Sequence, residues 1–227
     1  MELVVDHICK SYGKHQVLEN ISFKVQIGTI VGLLGRNGAG KTTLMKILAG
    51  LSRPDSGSVD LLNGQAKSLD QIKARIGYLS EQNPLYNHLY VKEYLHWRAR
   101  SYNIRDWKSL TDTIIEKTNL TDVINKKISN LSKGFKQRVG LAAALIHDPD
   151  ILLLDEPMNG LDPGQIIEFR TLISSVSSKK VVLFSSHILQ EIKALCHRTI
   201  FLEPGKEIRD IDIASADELD NLFEMKS

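Results

Sequence analysis

The stretch Thr29-Ile30-Val31-Gly32-Leu33-Leu34-Gly35-Arg36-Asn37-Gly38-Ala39-Gly40-Lys41-Thr42-Thr43 decides how the rest of the chain is read. An apolar run of strand length, Thr29–Leu34, stops at a glycine. Gly35 to Thr42 fit the pattern G-x-x-x-x-G-K-[ST], and a helix-compatible segment, Lys41–Ala49, follows. A buried strand, a glycine loop and a helix in that order make a cradle for phosphate. The glycines let backbone N–H groups close around phosphate oxygens without Cβ clashes. The helix N-terminus adds the positive end of its dipole. In such a loop Lys41 brings a point charge to the β- and γ-phosphates and Thr42 offers a hydroxyl to Mg²⁺. The expected nucleotide contacts are Gly35, Arg36, Asn37, Gly38, Ala39, Gly40, Lys41, Thr42 and Thr43.

A second apolar run, Ile151-Leu152-Leu153-Leu154, delivers Asp155 and Glu156 ahead of Pro157. Ligands of α/β proteins bind at the C-terminal ends of strands, so two carboxylates there face the same region as the phosphate loop. Asp155 is expected in the Mg²⁺ shell, directly or through water. Strand alternation is expected to turn Glu156 the other way, toward a water in line with the γ-phosphate.

Working outward, the first thirty residues read as strands, with Val17, Ile21, Phe23 and Val25 on one face of an alternating run. Pro54-Asp55-Ser56-Gly57 make a turn. Further strands are expected at Ser58–Leu62, Ile76–Ser80 and Val181–Ser185, and a hairpin of Thr199–Leu202 with Lys206–Arg209 around Pro204-Gly205. Helices are expected at Val91–Tyr102, Asp106–Thr118, from Ser132 as N-cap to Ile146, from Pro163 toward Ser175, at His187–Leu195 and at Ala214–Met225. Strands alternating with helices give an α/β fold with a mainly parallel sheet. The helical block from about Pro84 to His147 interrupts the alternation and reads as an inserted subdomain of one domain spanning 1–227. Trp97 and Trp107 are expected to pack inside it.

With 227 residues, the chain is long enough for a sizeable core. Hydrophobic residues make up 42%, but the apolar stretches have the length of buried strands and fall short of a membrane span. The N-terminus carries no pattern of a secretory signal. Cys9 and Cys196 match no metal spacing and read as reduced cytosolic thiols. A net charge of +2 argues against a dedicated nucleic-acid binder, and the small cluster Lys133, Lys136 and Arg138 reads as a solvated face.

With these motifs in place, the chain resembles the nucleotide-binding subunit of an ABC transporter over nearly its whole length. Leu131-Ser132-Lys133-Gly134-Phe135-Lys136-Gln137-Arg138 is similar to the family signature and stands just before the Asp155-Glu156 strand. Asn159-Gly160-Leu161-Asp162 resembles the family's D-loop, His187 its switch histidine, and Tyr12 the aromatic that stacks on adenine. The family glutamine after the strand at Ile76 falls by spacing on Glu81, with Gln82 the alternative; either would reach Mg²⁺ or the attacking water.

The resemblance implies a P-loop NTPase of ABC type: a mainly parallel sheet core, an N-terminal antiparallel β subdomain and an inserted helical subdomain. It implies a Mg²⁺-dependent ATPase with Glu156, His187 and Lys41 as catalytic residues. It also implies an ATP-dependent dimer, either homodimeric or formed with a similar ATPase. In that dimer Ser132, Gly134 and Asp162 of one subunit would meet the nucleotide held by the other. A separately encoded integral membrane permease would receive the Pro84–Tyr94 segment, which places the chain at the cytoplasmic face of the membrane as a peripheral subunit. No nucleic-acid partner is expected. Three positions depart from the common pattern: Lys133 stands for the usual Gly, Phe135 for Gln and Met158 for Thr. The signature variant and Asn83-Pro84-Leu85-Tyr86 resemble exporter subunits, including those linked to drug efflux or gliding motility. Two alternatives are a non-transport relative acting on nucleic acid or ribosomes and an ATP-gated scaffold with little turnover. The single phosphate loop and the absence of long heptads and of a cysteine cluster count against the first. Glu156 counts against the second.

Overall fold

The computed structural model describes residues 2–61, 69–204, 206 and 208–212. The chain opens with β1 (Glu2–Tyr12) and β2 (His15–Gln26), an antiparallel hairpin that turns between Tyr12 and His15. It continues through β3 (Ile30–Leu34), α1 (Lys41–Leu48) and β4 (Ser56–Leu61), which pairs antiparallel with β1. A short helix α2 (Leu69–Lys73), without a signal strong enough to be read from sequence, leads into β5 (Ile76–Leu79). Three helices follow, α3 (Val91–Ser101), α4 (Trp107–Lys117) and α5 (Lys133–Leu145). The remainder is β6 (Ile151–Asp155), α6 (Pro163–Ser177), β7 (Val181–Ser186), α7 (Leu189–Leu195), β8 (Arg198–Phe201) and β9 (Arg209–Asp212).

Two sheets result. A three-stranded antiparallel sheet runs β2-β1-β4, and a six-stranded sheet runs β5-β6-β7-β3-β8-β9. In the larger sheet all pairings are parallel except β8 with β9. Its central strands read as unbroken apolar runs because both faces are covered. Ile30 and Leu34 of β3, Leu152 and Leu154 of β6, and Val182 and Phe184 of β7 join the core shared with α3–α7. Their neighbours Val31, Leu33, Ile151, Leu153, Val181 and Leu183 join a second core with α1 and the antiparallel sheet. The period-two alternation therefore divides one buried sheet between two cores.

Several expected boundaries move. The helix expected from His187 begins at Leu189, because Ile188 has extended backbone. The second hairpin strand is Arg209–Asp212 and not Lys206–Arg209: register is set by pairing, Phe201 opposite Arg209, with the Arg198–Asp210 ion pair across it. The strand expected at Ser58 starts two residues earlier, within the expected turn. The expected helix Ala214–Met225 lies outside the described residues. Trp107 packs against the core, but Trp97 is 45% exposed and meets Tyr86 edge-on at 5.1 Å. Within the Pro84–Tyr94 segment Tyr94 is buried, whereas Tyr86 and Tyr90 are exposed.

Candidate nucleotide site

The loop between β3 and α1 takes the shape the glycines permit. Gly38 and Gly40 have φ of 84° and 97°, values that a side chain disfavours. A Cβ on Gly40 would also run into Leu18 of β2, so the loop lies close on the antiparallel sheet. Lys41 is the first residue of α1, and its buried ammonium donates to the Gly35 carbonyl at 2.7 Å and the Arg36 carbonyl at 3.3 Å.

Lys41 Nζ also lies 3.1 Å from Glu156 Oε1, and His187 Nδ1 lies 2.9 Å from Glu156 Oε2. Both oxygens of Glu156 are thus engaged, and the second contact requires the proton of His187 on Nδ1. Glu156 does not reach this position by pleat alternation, as expected from sequence. It stands past the end of β6 with φ of 47°, a left-handed turn that swings its carboxylate toward the phosphate loop. Ser185 of β7 holds the turn: its hydroxyl accepts from the Glu156 N–H at 2.9 Å and donates to Asp155 Oδ1 at 2.7 Å. The segment carrying His187 is fixed in turn by Ser186. That hydroxyl donates to buried Glu191 at 2.6 Å and accepts from the Ile188 N–H at 3.0 Å. Burial raises the carboxyl pKa of Glu191, and the Ser186 hydrogen bond offsets part of the rise.

A cavity of about 730 Å³ opens over this cluster. Tyr12, residues 37–43, Glu81, Glu156, Asn159 and His187 line it. Tyr12 stands at its rim, 54% exposed, with the Lys10 ammonium 5.6 Å from its ring centre. His15 and Val17 also line the cavity and were missed by sequence reasoning, since nothing local marks them; Asn159 enters it from the D-loop-like segment. A smaller cavity of about 250 Å³ adjoins it and holds Asp155, Tyr78, Gln82, Thr42 and Glu81. Thr42 and Glu81 belong to both cavities, whereas Gln82 belongs only to the smaller one. Asp155 is fully buried, and Tyr78 O–H points to its Oδ2 at 3.4 Å. Burial, reinforced by the Asp155 charge, pushes the Tyr78 phenol well above its ordinary value, which keeps it a donor.

The fit to a hard cation rests on this donor set. Among the described residues no group of three or more His, Cys, Asp and Glu could hold a metal alone. Thr42, Asp155, Glu81 and Gln82 instead line one small cavity, and their oxygens would suit the few protein donors that Mg²⁺ takes beside phosphates.

Ser132, Gly134 and Asp162 lie outside both cavities. Ser132 caps α5, accepting from the Phe135 N–H at 3.4 Å, and Asp162 caps α6, accepting from the Gln165 N–H at 2.9 Å. Gly134 is buried, and a Cβ there would strike the Gln165 side chain. At the departures from the common pattern, Met158 is buried and Phe135 packs against the core beneath the Arg138 guanidinium, which pairs with Glu168 of α6. A Cβ on Gly160 would strike the Lys133 side chain, so the signature lies against the D-loop-like segment of its own chain.

Comparison with known proteins agrees with this architecture. The family model described as ABC transporter matches residues 18–159. The bacitracin transport ATP-binding protein BcrA of Bacillus licheniformis is 38% identical over 207 residues, 90% of this chain and 67% of that protein. The lantibiotic transport ATP-binding protein SrtF of Streptococcus pyogenes is 36% identical over 97% of this chain and 95% of its own length. A solved structure described as an ATP-binding subunit of an ABC transporter superposes with a TM-score of 0.84 at 26% identity, covering 98% of this chain and 94% of that one. The phosphate loop, the Asp155-Glu156 strand end, the two-sheet fold and these likenesses together establish that the chain belongs to the ABC transporter ATP-binding family.

Proposed function

We propose that the chain binds ATP with Mg²⁺ and hydrolyses it to ADP and phosphate, driving transport through a separate membrane permease. One observation carries the catalytic part: at the phosphate loop Glu156 is joined to Lys41 by an ion pair and to His187 by a hydrogen bond. Incoming phosphates compete with Glu156 for the Lys41 ammonium, and Glu156 Oε1 is then released toward a water. That water forms its bond to the γ-phosphorus as the bond to the β–γ bridging oxygen breaks, and its proton passes to Glu156. Lys41 and His187 stabilise the charge on the phosphoryl oxygens. Thr42, Asp155 and Glu81 would hold Mg²⁺, which neutralises phosphate charge. Tyr12 stacks on the adenine.

The dimer is proposed for a geometric reason: Ser132, Gly134 and Asp162 line neither cavity of their own chain, and Ser132 and Asp162 are exposed where a second subunit's site could meet them. The second subunit is another copy or a similar ATPase. For the permease, the exposed aromatics Tyr86, Tyr90 and Trp97 offer a docking surface. No described helix is long and apolar enough to cross a membrane. The chain would then work at the cytoplasmic face of the membrane. The bacitracin and lantibiotic relatives are named as transport proteins, which supports transport, and the resemblance of the signature variant to exporter subunits favours export. Glu156→Gln tests the proposal: the variant should bind ATP, lose turnover and run as an ATP-dependent dimer in light scattering. A variant that stays monomeric with bound ATP would sink the sandwich.

A further inference from the structure

The loop after β5 carries a contact that no motif predicts. Asn83, two residues past Glu81, has φ of 41° and turns its carboxamide into α5. Its Nδ2 donates to the Lys136 carbonyl at 2.8 Å and to Gln137 Oε1 at 3.0 Å. The Lys136 carbonyl, which can only accept, fixes which end of the Asn83 side chain is nitrogen, and Gln137 then turns its oxygen to it. The loop is closed behind it by the Asn83 N–H donating to the Ser80 carbonyl at 2.9 Å. On the helix side, Gly140 makes the notch: a Cβ there would overlap the Asn83 carboxamide oxygen and Leu79. Gln137 is buried, so its amide is held in place for this contact.

The two ends of this contact lie at two different parts of the proposed machine. Glu81 lines both nucleotide cavities. α5 begins at Ser132 and Gly134, one turn before Lys136, and in the proposed sandwich these residues meet the other subunit's nucleotide. We infer that Asn83 is a positioning residue that locks the Glu81 loop to the signature helix, so that the set of Glu81 in its own cavity fixes the set of the surface offered to the partner. This rests on the ATP-sandwich proposal and adds to it the side chain through which one chain's two half-sites are held in register. Asn83 touches neither cavity, so nucleotide binding to a single chain does not depend on it.

The test uses the full chain with Glu156→Gln as parent, Mg²⁺ and ATP as ligand, a fluorescent ATP analogue for single-chain affinity and sedimentation velocity for the dimer. Asn83→Ala and Asn83→Asp both remove the donor, the second with the shape kept. Gly140→Ala displaces the same carboxamide from the opposite side. In all three, single-chain affinity is expected within about twofold of the parent, while the dimer dissociation constant rises about tenfold or more. Variants that dimerise as well as the parent overturn the assignment of Asn83 alone. Variants that lose single-chain ATP affinity along with the dimer overturn it too, because the residue would then be serving the fold and not the register. A parent that binds ATP without dimerising overturns the sandwich, and the Asn83 assignment with it.

Discussion

Lys41 and Glu156 form a 3.1 Å ion pair with side chains only 6% and 7% exposed. A phosphate-binding lysine and the expected general base are therefore each other's partners. Removing one member of a buried pair strands the other charge. His187 remains on Glu156, so the cost of Lys41→Ala is expected at about 2 kcal/mol, below the ~3–5 kcal/mol of a fully stranded buried charge. Lys41→Ala with Glu156→Gln should recover most of that loss. Urea unfolding of the two single variants and the double variant measures the coupling, and additive losses would mean that the pair is not formed in solution.

Ser185 holds both carboxylate residues at once. Ser185→Ala deletes the hydroxyl that bonds Asp155 Oδ1 and the Glu156 N–H, both buried. The expected result is a drop in kcat of about tenfold, with ATP affinity changed far less, and a stability cost of about 1–3 kcal/mol. Steady-state kinetics beside ATP titration checks the split. An equal loss in both quantities would place Ser185 in nucleotide binding instead.

Much of this site is legible in sequence because its signals are local. The phosphate loop needs only β3, glycines and α1 in order, and β6 announces itself as an apolar run ending in acids. The turn at Glu156 is not legible, since nothing in Leu-Asp-Glu-Pro marks a left-handed glutamate; the Ser185 hydroxyl that holds it arrives from another strand. His15 and Val17 reach the cavity through tertiary packing, and the register of β9 depends on its pairing with β8. The notch at Gly140 fits a residue that is remote in sequence, so no local pattern could expose it.

Tyr12 at the cavity rim predicts a selective effect. Stacking on a base is worth about 1–3 kcal/mol per aromatic. Tyr12→Ala should weaken ATP binding by about tenfold and leave inorganic triphosphate binding unchanged, while Tyr12→Phe should resemble the wild type. Calorimetric titration with both ligands decides it; equal weakening for both would mean that Tyr12 shapes the phosphate loop.

His147 predicts how stability responds to acid. Its ring stacks on Tyr102 at 4.0 Å, and Nε2 lies 3.0 Å from the Ile76 carbonyl. Burial lowers its pKa from 6.5 to about 4, offset in part by the Ile76 hydrogen bond, with the Arg98 and Lys180 charges lowering it further and Asp148 opposing them. The unfolded chain therefore binds this proton more readily, and stability falls as pH drops from 6.5 toward 4, levelling off below that. The full loss should be on the order of 3 kcal/mol, with about 2 kcal/mol of it reached by pH 5. His147→Phe should remove that part of the slope. Urea unfolding of both proteins at pH 7.5 and pH 5 gives the difference, and identical slopes would contradict a neutral buried ring.

The most direct test of the account is ATP turnover with Mg²⁺ as a function of protein concentration, run beside Glu156→Gln and Lys41→Ala. Turnover that rises more steeply than linearly and disappears in both variants is the predicted result for composite sites with Glu156 as base. Equal hydrolysis by the wild type and Glu156→Gln would contradict it.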